Sequence, residues 1–385
     1  MQKKVLIIAS SFAFGRPMAL RIRAITELFK ACGWKVIVYS DVITLEDKKE
    51  YDYTMFNDIK TYGLGRQIKG FKKIVLPFLY KRRISNILEI EKPALVFTNS
   101  LYDRFFITRK LVKSCPLILE SCEWYDPSTY KYGKFSHHYI LHTICWKWGY
   151  IHVDGVLAIS RLIESHYKKI VKNVIRIPTI VDSINDEARV KVNTSKEKKL
   201  RLLFAGSLAR TKDSIRPYFE ALDILEDYAN TIFFDICGVS EEEIINHLGY
   251  ELYNKYKKQI RVYGKIPQNK IPELYSNCDF GIFFRPNQRS SHAGFSTKLG
   301  EGMSCGTPFI VNDTGDISLY IKNGINGYIV KNDKDIANVL KEVLVSSDYE
   351  RSEMREKALL TAKKYFYFKA YIREFEMFIN RVMEG

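Results

Sequence analysis

Short apolar runs alternate with amphipathic segments through most of the chain. This is the pattern of parallel strands buried on both faces and of the helices that cover them. Residues 4–10 (KVLIIAS) open the series. After the loop SSFAFGRP, Pro17 stands in the first turn of a helix running to Ala31 and stopped by Gly33, and residues 35–39 form the next strand. Further apolar runs follow at 94–98, 117–120, 156–160 and 174–177, with amphipathic helical segments between most of them. Residues 185–199, NDEARVKVNTSKEKK, are polar, charged and aperiodic, as a linker is. The alternation then restarts, with strands at 200–205, 232–237, 260–263 and 280–284 and helices near Ser214, Glu241 and Pro272 between them. The fold class is therefore expected to be α/β, with two doubly wound parallel sheets. The expected domains are 1–182, a linker over 183–199, a second domain over 200–364, and a C-terminal helix over 365–385 that packs back over the domain junction.

The densest pattern lies at 292–316, HAGFSTKLGEGMSCGTPFIVNDTGD. Gly294 gives a loop, Ser296 or Thr297 caps a helix running to about Ser304, and Gly306 with Pro308 stops it before an apolar strand at 309–311. A helix start behind a glycine loop leaves amide N–H groups and a positive dipole end in front of it, a place for phosphate. Glu301 lies one turn further along the same face, where a carboxylate accepts hydrogen bonds from ribose hydroxyls. Gly300 and Gly302 each weaken the helix by about 1 kcal/mol relative to Ala, so something is expected to approach the backbone closely there. The alternative is a tightly packed strand–helix–strand corner with Glu301 in solvent.

Composition narrows the classes. The chain has 385 residues, 46% hydrophobic and 27% charged, as a soluble globular protein has. No apolar run reaches the length of a spanning helix, and the Met1 end leads straight into a strand, so a cytoplasmic protein is expected. Seven cysteines without a CxxC pair indicate neither a disulfide framework nor a zinc site. The net charge of +16 is one-sided: residues 1–176 hold 30 Lys+Arg against 15 Asp+Glu, and residues 177–385 hold 30 against 29. Such asymmetry points to a polyanion at the first half, nucleic acid or an anionic membrane. Residues 60–88 carry Lys60, Arg66, Lys69, Lys72, Lys73, Lys81, Arg82 and Arg83 among aromatic and aliphatic side chains. That mixture suits the headgroup region of a bilayer, and a solvated basic helix face is the plain alternative.

Two loops of the first half follow strands and so stand where ligands of open α/β sheets bind. The first holds Gly15 and Arg16; with one glycine it matches neither the dinucleotide nor the P-loop fingerprint. The second, ESCEWYDPSTYKYGKF, offers Glu120, Glu123 and Asp126, or is simply stapled by Trp124 and Tyr125. His137, His138 and His142 beyond it lack a carboxylate at metal-ligand spacing, and Trp146, Trp148 and Tyr150 beside Lys147 read instead as a second interfacial patch.

Taken together, FAGSLARTK at 204–212, YGKIP at 263–267, CDFGIFF at 278–284, GFSTKLGEGMSCGTPFIV at 294–311 and GINGYIV at 324–330 resemble glycosyltransferase family 4. DGVLAIS at 154–160 and IRIPTIVD at 175–182 add a weaker likeness in the first half. The resemblance implies the GT-B architecture, two Rossmann-like domains facing across a cleft, and retaining hexosyl or N-acetylhexosaminyl transfer without a metal. Lys212 matches the lysine on the donor diphosphate. Ser207 stands where the family has an arginine, and Arg210 is the candidate substitute. Glu301 matches the second glutamate of a pair, on the donor ribose; the first falls on Ala293. The amides of Phe295, Ser296 and Thr297 would hold phosphate, Gly264, Lys265 and Ile266 would border the base, and Gly206, Gly294, Lys298 and Leu299 complete the implied donor set. Where the family often has a histidine after the strand ending at Glu120, this chain has Cys122 and Glu123, and Glu123 joins Lys212 and Glu301 as a catalytic candidate.

The expected partners are a nucleotide sugar, a UDP-sugar first, and a lipid-linked saccharide acceptor at the inner face of a membrane, as in surface-polysaccharide assembly. No cofactor, metal or nucleic acid is expected, since no helix-turn-helix, zinc or RNA-binding signature accompanies the charge. A nucleotide-sugar epimerase of the same fold, or an inactive relative that binds partners, are the alternatives.

Overall fold

The computed structural model describes residues 2–10, 12, 17–40, 53–56, 58–63, 76–99, 102–184, 199–208 and 213–385. The chain divides into two compact units, Met1–Asp182 with Phe368–Gly385, and Ser183–Tyr367. Most of the expected linker, residues 185–198, lies outside the described residues.

The first unit is built on eight strands: β1 (Lys4–Ala9), β2 (Lys35–Ser40), β3 (Tyr53–Phe56), β4 (Ile59–Tyr62), β5 (Leu95–Asn99), β6 (Leu117–Ser121), β7 (Gly155–Ala158) and β8 (Val174–Arg176), in the order β3-β4-β2-β1-β5-β6-β7-β8. Every pairing is parallel except β3 with β4. Strands β5, β6 and β7 are buried along their whole length, which is why they read as unbroken apolar runs. The β3–β4 hairpin was not announced by that pattern. Its outer strand alternates between exposed and half-buried residues, and Asp58 closes the turn in the left-handed region at φ 61°, which Asp tolerates.

The C-terminal helix Ile372–Glu384 belongs to this unit. Phe375 packs edge-on against Phe29 at 4.9 Å. β7 starts at a glycine for a related reason: a Cβ on Gly155 would lie 2.7 Å from Val382 and 2.9 Å from Phe378.

The second unit carries β9 (Leu200–Ala205), β10 (Ile232–Cys237), β11 (Ile260–Gly264), β12 (Phe280–Phe283), β13 (Phe309–Asn312) and β14 (Gly327–Val330), all parallel, in the order β11-β10-β9-β12-β13-β14. The helix expected at Glu241 begins there behind a capping box: the Glu243 amide donates to Ser240 Oγ at 3.2 Å, and the Ser240 amide donates to the Glu243 carboxylate at 2.8 Å. No described helix is long and apolar enough to cross a membrane, and the seven cysteines form no disulfide.

Candidate functional site

In the second unit the chain places its first strand, β9, in mid-sheet, then runs outward to β10 and β11 on one side and to β12, β13 and β14 on the other. The order reverses between β9 and β12, and the crevice beyond their carboxyl ends is where an open α/β sheet takes a ligand. Three neighbouring strands end there in glycines tied edge to edge: the Gly206 amide donates to Cys237 O and the Gly238 amide to Gly264 O, both at 2.8 Å. Gly238 has φ 97°, and a Cβ on it would come within 2.5 Å of Gly206 O. The rim of the sheet is therefore a ledge of bare backbone.

Lys298 lies over this ledge. It projects from the first turn of the Thr297–Met303 helix, and a Cβ on Gly206 would meet its Cε at 2.4 Å and its Nζ at 2.6 Å. Lys298 Nζ is 2.5 Å from Asp213 Oδ2, and Arg285 Nε is 2.8 Å from Asp213 Oδ1. Burial alone would raise the Asp213 carboxyl, but Lys298 and Arg285 outweigh it and hold the acid well below the usual carboxylate range. The carboxylate is 5% exposed and its two cations 14% and 18%, so the acid is sealed while the cations reach the surface.

Backbone pairing fixes the frame of this cluster. Ser214 and Phe284 exchange both amide hydrogen bonds, at 2.7 and 2.9 Å, and the Arg285 amide and carbonyl are both held by the Asn312 side chain at 2.7 Å. Asp213 and Arg285 were not singled out from the sequence, because their meeting depends on strand neighbours 72 residues apart.

The helix runs from Thr297 to Met303 and the following strand from Phe309, close to the expected bounds. Ser296 occupies the N-cap position, but its side chain makes no cap hydrogen bond. The close approach expected at Gly302 comes from the core: a Cβ there would lie 2.5 Å from the Phe309 ring and 2.9 Å from Tyr275. Phe295 and Leu299 turn their side chains inward, Phe295 against Tyr320 and Phe366, so only their backbone is left for a ligand. Glu301 is half-buried one turn beyond Thr297, and with burial its charge keeps the buried Tyr275 phenol protonated. Gly294, like Ser296, is buried in the loop before the helix, while Ser207 and Lys265 stand at the ends of β9 and β11 beside Gly206, Gly264 and Ile266.

Ala293 is fully buried. Beside it, His292 Nδ1 accepts from the Gly315 amide at 3.0 Å, which leaves the proton on Nε2 to be donated to Asn287 Oδ1 at 2.7 Å. This oriented imidazole also went unremarked in the sequence.

In the first unit Glu120 does not face a loop ligand. It is fully buried on β6, with its Oε1 2.5 Å from Arg21 Nε, while Arg21 Nη2 donates to Ile177 O at 3.1 Å and Nη1 to Pro178 O. Glu123 is half-buried in the following loop. That loop is stapled as the alternative reading held: Trp124 stacks on Trp146 at 4.5 Å, and Tyr125 packs against Tyr130 and His142.

Within the basic stretch of 60–83, Lys60 is 2.5 Å from Glu91 and Arg83 is buried with its Nε donating to Gly63 O at 2.9 Å, while Lys81 and Arg82 are exposed. Gly15, Arg16, Arg66, Lys69, Lys72, Lys73, Arg210 and Lys212 lie outside the described residues. Among the described residues no cluster of three or more His, Cys, Asp or Glu is placed to hold a metal ion.

Residues 185–361 match the family model described as glycosyl transferases group 1. No curated protein matches the sequence significantly. Among solved structures, the chain is similar to a sucrose-phosphate synthase from Thermosynechococcus elongatus at 15% identity, each chain covered fully, with a TM-score of 0.72. It is also similar to Anabaena HepE, solved in complex with UDP and glucose, at 13% identity over 99% of this chain and 100% of that one, with a TM-score of 0.68. A glycosyltransferase from Rickettsia africae aligns over the full length of both chains at 16% identity, with a TM-score of 0.64. The fold is that of GT-B glycosyltransferases, two Rossmann-like parallel-sheet domains.

Proposed function

We propose that the protein is a glycosyltransferase that takes a sugar from a nucleoside diphosphate sugar, a UDP-sugar first, and passes it with retained configuration to a lipid-linked saccharide. The observation that carries this reading is Lys298, which lies over the bare glycine ledge at the strand reversal and is pinned together with Arg285 by one buried carboxylate. Departure of a nucleoside diphosphate concentrates negative charge on its phosphate oxygens. Fixed cations at that place stabilise it without rearranging during the reaction. Lys212, six residues after Gly206, would join them, and Glu301 would hold the ribose hydroxyls. The family match over this region and the UDP-bound structural neighbour support the assignment. The acceptor, the cytoplasmic location at a membrane and the surface-polysaccharide role rest on the basic first half of the sequence.

The test is thermal unfolding with UDP, GDP and CDP, in the presence and absence of a chelator, for the wild type and Glu301→Ala. A nucleotide at one hundred times its dissociation constant adds about 2.7 kcal/mol of stability. Stabilisation by one nucleotide, indifferent to chelator and weakened in the variant, is the expected result. A wild type that no nucleotide stabilises would remove the donor site.

A further inference from the structure

The helix His137–Ile144 continues through a π turn, Cys145–Gly149, and a last single turn, Tyr150–His152. It has two apolar faces. The inner one is buried: Trp146 stacks on Trp124, Cys145 and Tyr150 are sealed, and Gly149 is tightly covered, a Cβ there lying 3.1 Å from the ring of Phe105. The outer one faces solvent at helical spacing, with Ile140 45% exposed, Trp148 60% and Ile151 38%, Ile144 half-buried between them, and Phe135 just before the helix at 90%. A surface helix ordinarily pairs one apolar stripe with a polar one. Here the second stripe is apolar as well, and the inner packing holds it in place.

The charges carried by this element have one sign. From Pro127 to Val153 the sequence contains no Asp or Glu, while Lys131, Lys134 and Lys147 are all exposed, and Asp103, an acid near Cys145 and Tyr150, is held by Arg104 at 3.1 Å. A second copy of the chain is disfavoured as the occupant, because a two-fold contact through this face would set the same lysines against each other. An anionic surface suits both features, taking the aromatic and aliphatic side chains at headgroup depth and the lysines among the headgroups.

We propose that residues 131–152 form a docking face for an anionic lipid bilayer, with Phe135, Ile140, Ile144, Trp148 and Ile151 entering the interface. This deepens the transferase reading, since it would bring the first unit to a lipid-linked acceptor. It also moves the membrane contact away from Lys60 and Arg83, whose charges are engaged within the fold.

The experiment is flotation of the full chain with phosphatidylcholine vesicles, with and without phosphatidylglycerol. The wild type floats with the anionic vesicles alone and is released by salt. Trp148→Ser combined with Ile144→Ser lowers the partition at least tenfold, and Lys134→Gln and Lys147→Gln lower it about fivefold each. All variants keep the wild-type thermal midpoint and any nucleotide-induced stabilisation, so a failed donor site and a failed membrane face give separate signals. Three results would overturn the proposal: no binding of the wild type to anionic vesicles, equal binding of the Trp148 variant, or a wild-type dimer in sedimentation equilibrium that Trp148→Ser turns into a monomer.

Discussion

Each unit buries an ion cluster near the carboxyl end of a strand, and the two clusters are built for different ends. In the first unit Arg21 and Glu120 are 1% and 0% exposed, and Arg21 spends its donors on Glu120 and on the carbonyls of Ile177 and Pro178. That arginine stitches the Pro17–Ala31 helix, β6 and the segment after β8 together and offers nothing to solvent. In the second unit only the acid is sealed. Asp213 holds Lys298 and Arg285 by one oxygen each, which leaves the remaining donor capacity of both cations at the surface. The difference separates a buried charge that fixes packing from one that aims other charges outward.

The largest effect should come from breaking the sealed pair. Arg21→Met takes the cation away from the buried Glu120 carboxylate and should lower stability by about 3–5 kcal/mol, read as the shift in a urea unfolding curve. Adding Glu120→Leu should restore most of it, because replacing both partners removes the buried net charge. Lys298→Met should do the reverse of Arg21→Met. Asp213 keeps Arg285, so the fold should lose less than in Arg21→Met, about 1.5–3 kcal/mol for one charge-assisted hydrogen bond. Transfer, however, should slow by about 10²–10³-fold, or about 2.7–4 kcal/mol at the transition state, by analogy with the loss of one oxyanion donor. A Lys298 variant that transfers sugar at the wild-type rate, or one that unfolds as readily as Arg21→Met, would erase the distinction between the clusters.

The sequence showed the strands of both sheets well, because β5, β6, β7, β9, β10, β12 and β13 are covered on both faces and covering leaves a readable apolar run. It also showed the Thr297–Met303 helix, whose start and stop are written in local residues. The pattern could not show which distant groups meet. Lys298 and Asp213 are 85 residues apart and Arg285 and Asp213 are 72 apart, and only the sheet order makes them neighbours. The same limit applies to two further readings. Gly302 signalled a close approach, but periodicity does not say whether a ligand or Phe309 makes it. Lys60 and Arg83 counted toward a basic patch, but charge counting does not see Glu91 or the Gly63 carbonyl. The β3–β4 hairpin escaped because an edge strand of four residues buries too little to leave a period.

The smallest effect sharpens the comparison through acid stability. Asp213 has its carboxyl held below the unfolded value of about 3.9, so folding is favoured by its ionised form. Its contribution is fully present above about pH 4 and is lost as the pH falls through the unfolded value toward the folded one. Between about pH 5 and 8 this group should give no slope. Below pH 4 the unfolded chain binds one more proton than the folded chain at this site, and stability should fall by up to about 1.4 kcal/mol per pH unit on its account. Asp213→Asn should remove that increment and leave a shallower acid limb in the urea midpoint measured from pH 5 down to pH 2. Lys298→Met should shift the limb less, because Arg285 still favours the carboxylate. If Asp213→Asn followed the wild-type limb, the carboxylate would not be the charged anchor of the two cations, and the contrast with the sealed pair of the first unit would rest on geometry alone.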